Sequence, residues 1–131
     1  MDLLQMENII TTRLSVKVPK LLNNAFPTIS FTNEISDKTP SFPNVYIHEL
    51  EPTEVGNDLM NQKIHAIRET IQIDVTTNTT KTDARKVISA CVNAIKADSF
   101  SVTALPVYTK INNIHRFVIR GQRIIASGDT F

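Results

Sequence analysis

The residues best suited to metal binding or proton transfer are three histidines and one cysteine. His48, His65 and His115 lie far apart, whereas zinc motifs place ligands about three to five residues from one another. Cys91 lies in an apolar stripe, where burial raises the pKa of a thiol and suppresses its reactivity. We therefore expect no metal site and no catalytic cysteine, and we interpret the histidines as surface or interface residues.

A second group with chemical potential is acidic. Glu49, Glu51 and Glu54 form a short cluster, and paired carboxylates can serve as acid and base when their environments differ. This cluster leaves a strand and enters a polar segment, which favours a solvated edge or salt bridges between subunits. The chain has only 3 glycines, too scattered for a phosphate-binding loop. The sequence thus favours a protein that is not an enzyme and needs no cofactor.

The last predicted hairpin carries four basic residues: Lys110, Arg116, Arg120 and Arg123. Arg116 and Arg120 share parity, so a regular strand points both to the same side. Two interpretations remain open: a solvent-exposed face of the sheet, or a surface that contacts DNA or an acidic partner subunit. The formal net charge of +1 argues against strong DNA binding through net charge, but a ring of such strips would concentrate positive charge.

The composition is typical of one globular domain over residues 1–131, with 41% hydrophobic and 21% charged residues. A single cysteine fits a reducing compartment. No apolar run is long enough to span a membrane, and the first residues do not resemble a signal peptide, so we expect the protein to stay where it is made. We expect residues 127–131 to be a loose tail unless a neighbour holds them.

Two helices are expected from three- and four-residue apolar spacing. The first has a stripe formed by Met6, Ile10, Leu14, Val18 and Leu21. Pro19 predicts a kink or the start of a second short helix. Thr80 and Asp83 resemble a capping box at the start of the other long helix. Its stripe is formed by Ala84, Val87, Ile88, Cys91, Val92 and Ile95, and we expect it to end near Asp98 and Ser99.

Five strands are expected, at 28–33, 45–50, about 67–76, 100–109 and 114–126. The third has the clearest alternation, with Ile67, Ile71, Ile73 and Val75 on one face. The last two alternate less cleanly, which indicates partial burial on both faces, and Lys110 to Asn113 supplies their turn. Residues 53–62 are expected to be an exposed loop. The order of elements predicts an α+β fold, a mostly antiparallel sheet of about four to five strands with two helices packed on one face.

Several short strings resemble the phage tail terminator, or tail completion, proteins. Phe26-Pro27 resembles the aromatic-proline pair after the first helix of that family, and residues 42–47 resemble its Phe-Pro entry into a strand. Residues 69–75 resemble its central strand, and Arg116-Phe117 the aromatic and basic pair of its final strand. The resemblance covers about residues 14–123, and it departs from the family at Pro19 and at the polar loop.

This resemblance implies a structural virion protein. Members of the family form a hexameric ring that caps the tail tube, stops its polymerisation and joins it to the head. The expected partners are further copies of the chain, the tail tube protein and the head-tail connector or stopper, and DNA passes through without sequence-specific binding. The expected location is the tail or neck of the virion, after assembly in the host cytoplasm.

On the same basis, we expect the ring interface to involve the sheet edges and the segment 53–66. The candidate interface residues in that segment are Glu54, Asn57, Asp58, Gln62 and Lys63. The four basic residues of the hairpin are expected to approach the channel or a partner. Two alternatives stay open, a head-tail connector or stopper of the neck and a small binding module unrelated to phages, which would remain monomeric.

Overall fold

The computed structural model describes residues 6–34, 40–54 and 66–126. Within these ranges the chain forms two helices and five strands, and the predicted α+β class is confirmed. The elements are α1 (Met6–Leu21), β1 (Ser30–Thr32), β2 (Asn44–Glu54), β3 (Ala66–Thr77), α2 (Lys81–Ala97), β4 (Ser101–Ile111) and β5 (Ile114–Ala126).

The five strands form one sheet in the order β1-β2-β3-β5-β4. Only β1 and β2 run parallel, and the remaining neighbours are antiparallel. The central strand β3 places Ile73 opposite Ile47 of β2 on one side and opposite Ile119 of β5 on the other. Among the described strands, β1 and β4 are therefore the edges.

The first helix is continuous through Pro19, which lies in its last turn. No second helix begins there, and α1 continues to Leu21 although Pro19 has no N–H group to donate to the carbonyl four residues earlier. Asn23 and Asn24 follow with left-handed φ angles of 52° and 56°, a conformation that asparagine tolerates better than most residues. The amide of Asn24 donates to the Pro19 carbonyl at 3.0 Å, which ends the helix.

The second helix has the predicted N-cap. The hydroxyl of Thr80 accepts a hydrogen bond from the Asp83 amide at 3.1 Å, which satisfies one of the free donors at the helix start. At the other end, Ser99 adopts a φ angle of 68°, and the Phe100 amide donates to the Ile95 carbonyl at 3.0 Å. The predicted end near Asp98 and Ser99 is confirmed.

The core lies between the two helices and one face of the sheet, which we call the helix face. Odd-numbered residues of β3 and β5 point to it, as their alternation predicts. Its largest apolar members include Leu14, Val18, Ile47, Ile71, Ile73, Ile88, Ile95, Ile119 and Ile125, all almost fully buried. Cys91 belongs to the same core.

Residue 121 of β5 packs closely under α2. A Cβ atom there would lie 2.9 Å from Cδ1 of Ile95 and 3.7 Å from Phe100. Real Cβ atoms almost never approach another heavy atom so closely, so the end of the Ile95 side chain would have to move to admit a larger residue than Gly121.

Some predicted boundaries were wrong. Strand β2 does not stop at Pro52 but runs to Glu54, because a register shift between Leu50 and Thr53 accommodates the proline. Residues 53 and 54 are thus strand and not loop. The last hairpin turns at Asn112 and Asn113 alone, both with positive φ, as a two-residue hairpin turn requires. The predicted tail 127–131 lies outside the described residues.

Candidate functional site

The face of the sheet away from the helices, here called the open face, carries a ladder of polar side chains across β3 and β5. Nη2 of Arg116 lies 2.6 Å from Oδ2 of Asp74. Nε of Arg120 donates to Gln72 at 3.0 Å, and Gln72 donates to Asp74 at 3.1 Å. Both arginines therefore lie on one face, and both are held by partners on the neighbouring strand.

The other two basic residues of the predicted strip lie elsewhere, and the strip does not exist as one surface. Arg123 has the opposite parity in β5, and its Nη1 donates to the backbone oxygen of Asp98 at 2.9 Å on the helix face. Lys110 pairs in register with His115, which shares the parity of the buried Phe117. The two-residue turn fixes this pairing, so Lys110 also points to the helix side.

Asp98, at the C-cap of α2, joins the two helices. Its carboxylate accepts hydrogen bonds from Arg13 at 2.8 Å and 3.1 Å and from Lys17 at 2.6 Å. Burial would raise the pKa of this carboxyl, but the hydrogen bonds and the charges of both cations together lower it. We interpret this cluster as structural, because it ties the middle of α1 to the end of α2.

A second carboxylate cluster lies where α1 crosses β2 and β3. It consists of Glu7, Glu49 and Glu69. Oε2 of Glu7 accepts a hydrogen bond from the Glu49 amide at 2.8 Å. The Glu69 side chain is completely buried, and neither of its oxygens receives a hydrogen bond from any described donor. We call these residues the carboxyl cluster.

Burial is the main reason that the pKa of Glu69 rises to about 8, and the Glu49 charge, a hydrogen bond to Glu49 and the Glu7 charge add to it. Two carboxyl groups can share a hydrogen bond only if one keeps its proton. Burial and the neighbouring carboxylates therefore favour the protonated form of Glu69, with Glu49 as the acceptor of its hydrogen bond. The absence of a donor to Glu69 agrees with this assignment.

The expected solvated acidic edge is thus wrong for Glu49, which is half-buried on the helix face. Glu51 is exposed, as expected. The role of Glu69 was missed, although the sequence contains its signal. The residue has the same parity as Ile67, Ile71 and Ile73, so a charged residue stands where the pattern calls for an apolar one.

The histidines are separated from one another. His48 lies on β2, and its ring centroid is 4.9 Å from that of Tyr46, with the two rings tilted by 32°. Its Nε2 is buried without a described partner. His115 lies near the start of β5, where its Nδ1 is 2.8 Å from the Tyr108 hydroxyl. His65 lies outside the described residues.

The described residues offer little else that could react or bind a metal. No group of three or more histidine, cysteine or acidic side chains among residues 6–34, 40–54 and 66–126 is arranged to hold a metal ion. Burial raises the pKa of Cys91 to about 12, which leaves the thiol protonated. None of the helices in the described part of the chain combines the length and apolar character needed to cross a membrane.

Strand β4 presents the most unusual surface of the described chain. It is an edge strand, yet Leu105, Val107 and Ile111 are 82%, 60% and 70% exposed. Leu105 and Pro106 also border a groove of about 380 Å³ against α2, with Val92 and Val102 on its walls.

Val102 and Tyr108 are half-buried toward the helices and Ala104 is half-buried on the open face, so the expected partial burial on both faces holds for part of β4. No described residue covers the exposed side chains along the rest of the strand, and its register shifts twice against β5.

A second groove, of about 550 Å³, runs between the end of α1 and the start of α2. Leu21, Leu22 and Phe26 give it apolar walls, and Arg85 and Lys86 lie on its rim. The predicted interface residues Asn57, Asp58, Gln62 and Lys63, and the side chain of Glu54, lie outside the described part of the structure.

A scan against protein-family models and a search of curated proteins gave no match to this chain. Function must therefore be argued from the surfaces described above and from the resemblance of the sequence.

Proposed function

We propose that the chain is a structural subunit that assembles with its own copies into a ring, and that this ring caps a phage tail tube and joins it to the head. The observation that carries the proposal is the exposed apolar edge strand β4. Three large apolar side chains remain exposed along this one strand, and a concentration of exposed apolar side chains marks an interaction site.

The chemistry of β4 indicates how a neighbour would bind. Pro106 has no N–H group, and the register of β4 shifts on both sides of Ala104. A neighbouring strand could not form an uninterrupted hydrogen-bonded ladder along such an edge. We infer that the contact is made by side chains. Leu105 lies beside the α2 groove, Val107 lies opposite Val118 on the open face, and both would pack against a different surface of the next copy.

A contact between two different surfaces is heterologous, and it produces a ring when its rotation closes. The resemblance to tail terminators supplies the ring and its place in the virion, including the expected six subunits. The α+β class that the resemblance implies also agrees with the observed fold. In such a ring Arg116 and Arg120 would face the channel or a partner, and Lys110 and Arg123 would lie on the opposite side of the sheet.

The first test is native mass over a concentration series, with negative-stain images of the largest species. We expect a closed ring for the natural chain. Leu105→Asp should abolish it, because a buried carboxylate without a partner is costly. Ser101→Asp is the matched control, since it adds the same charge to an exposed position of the same strand outside the apolar patch, and it should leave the ring intact.

The second test places the ring in the virion. The natural chain should bind the ends of purified tail tubes, and the Leu105→Asp variant should bind them more weakly. Binding to the head connector alone would favour the alternative of a neck connector or stopper. A chain that stays monomeric by itself and also fails to bind tube ends would contradict the proposal.

One observation favours a different class of function. The groove between α1 and α2 combines apolar walls with a basic rim, as expected of a small module that binds an acidic peptide or ligand. A strictly monomeric chain whose Leu105→Asp variant behaves like the natural one would support that alternative.

A further inference from the structure

The carboxyl cluster lies at a junction of three elements. Glu7 belongs to the first turn of α1, Glu49 to β2 and Glu69 to β3. The hydrogen bond from the Glu49 amide to Glu7 is 2.8 Å long and joins the start of α1 to the sheet. Met6 and Ile10, on either side of Glu7, are buried in the core.

Among the residues that the structure describes, no hydrogen bond or ion pair neutralises a charge on Glu69. From β2 it faces Glu49 and from α1 it faces Glu7, and both raise its pKa. From β5, Arg123 lies directly opposite in register, but its Nη1 donates to the Asp98 carbonyl at the end of α2. The two cations farther along α1, Arg13 and Lys17, bind the Asp98 carboxylate.

We propose that the carboxyl cluster is a proton-operated clasp, which holds the first turn of α1 against the sheet while Glu69 is protonated and releases it when Glu69 ionises. In the closed state the Glu69 hydroxyl donates to the Glu49 carboxylate, so the two carboxyl groups share one proton. Loss of that proton places a further negative charge beside Glu7 and Glu49, at a position that is completely buried. Glu7 is on the most easily moved of the three elements, because it lies at the end of a helix.

The direction of the effect follows from proton linkage. Once the first turn of α1 has moved away, water reaches Glu69 and its pKa returns toward the ordinary value of 4.5. The open state then binds protons more weakly than the closed state, so rising pH favours opening. Between the ordinary and the raised pKa, the opening constant increases by at most about tenfold per pH unit.

Hydrogen exchange tests the proposal directly. The amides of residues 10–14 are bonded to carbonyls of the first turn of α1, and those of residues 88–94 in the middle of α2 provide an internal reference. We expect the protection factors of residues 10–14, corrected for the intrinsic effect of pH, to fall more than about tenfold from about pH 6 to about pH 8. Residues 88–94 should keep theirs.

Two variants distinguish release of the first turn of α1 from a general loss of stability. Glu69→Gln cannot ionise, and its α1 amides should keep the same protection at both pH values. Glu51→Gln is the matched control, because it removes an exposed carboxylate from the same region of β2, and it should behave like the natural chain. An equal fall of protection in Glu69→Gln, no fall in the natural chain, or a parallel fall at residues 88–94 would each overturn the proposal.

A measurement on the natural chain covers the case in which Glu69→Gln does not fold. Carbon-13 NMR of the side-chain carboxyls follows each glutamate through its titration. The midpoint for Glu69 should lie well above the ordinary value of 4.5, and the amide signals of the first turn of α1 should shift with the same midpoint. A Glu69 midpoint within the ordinary glutamate range would overturn the proposal.

Discussion

Replacing Glu69 with glutamine should change how the stability of the whole domain depends on pH. The substitution keeps the shape of the side chain but removes its ability to ionise. The pKa of Glu69 is about 8 in the folded chain, and its ordinary value is 4.5. Since each tenfold change in proton affinity corresponds to about 1.4 kcal/mol, full ionisation of Glu69 weakens the fold by on the order of 5 kcal/mol.

The sign follows from which state binds the proton. Between pH 4.5 and about 8 the folded chain keeps the Glu69 proton and the unfolded chain has released it. The free energy of unfolding therefore falls as pH rises through this window, and this contribution levels off above it. The figure of about 5 kcal/mol is an upper limit, because local opening at α1 would let water reach the carboxylate before the domain unfolds.

Urea denaturation followed by circular dichroism, at several values between about pH 5 and pH 9, measures the effect. The natural chain should lose stability across the range, and Glu69→Gln should lose much less and become the more stable protein at the alkaline end. Glu51→Gln should follow the natural chain. Parallel curves for the natural chain and Glu69→Gln would refute the assignment of Glu69 as a buried neutral acid.

Two further predictions concern the packing of the helices. Asp98→Asn should lower the free energy of unfolding by about 1–2 kcal/mol at neutral pH, because it removes the negative charge that Arg13 and Lys17 both bind. Since the pKa of Asp98 is lowered in the folded chain, this loss should shrink in acid, where the natural carboxylate becomes protonated. A loss that stays constant in acid denaturation curves would contradict the prediction. Gly121→Ala should lower the free energy of unfolding by about 1 kcal/mol, because its Cβ meets the terminal methyl of Ile95. The loss should be smaller in an Ile95→Val background. Equal losses in both backgrounds would show that this contact does not limit the packing.

Most of the fold could be predicted because its strongest signals are local. The apolar stripes of α1 and α2, the Thr80 cap and the alternation of β3 all depend on neighbours within a few residues. The outcomes at Pro19 and Pro52 were harder to predict. A proline is tolerated in the last turn of a helix or in a bulge, and the sequence does not reveal which of these surroundings it will have.

The candidate sites were less predictable because they depend on which strands become neighbours. Parity alone placed Arg116 and Arg120 together, whereas the separation of Lys110 and Arg123 depended on the register of the hairpin and on the faces of the sheet. The carboxyl cluster joins residues from α1, β2 and β3, so no local spacing connects them. The exposure of Leu105 could not be foreseen until β4 was known to be an edge.

The order of the strands has a consequence for synthesis of the chain. Strand β5 is the last described element, yet it lies between β3 and β4 and is the only described strand that pairs with β4. On a ribosome, α2 and β4 emerge before the strand that connects them to the rest of the sheet. Strand β3 therefore lacks one of its two neighbouring strands until Ala126 has left the exit tunnel. Nascent chains stopped before that point should be sensitive to proteases and dependent on chaperones.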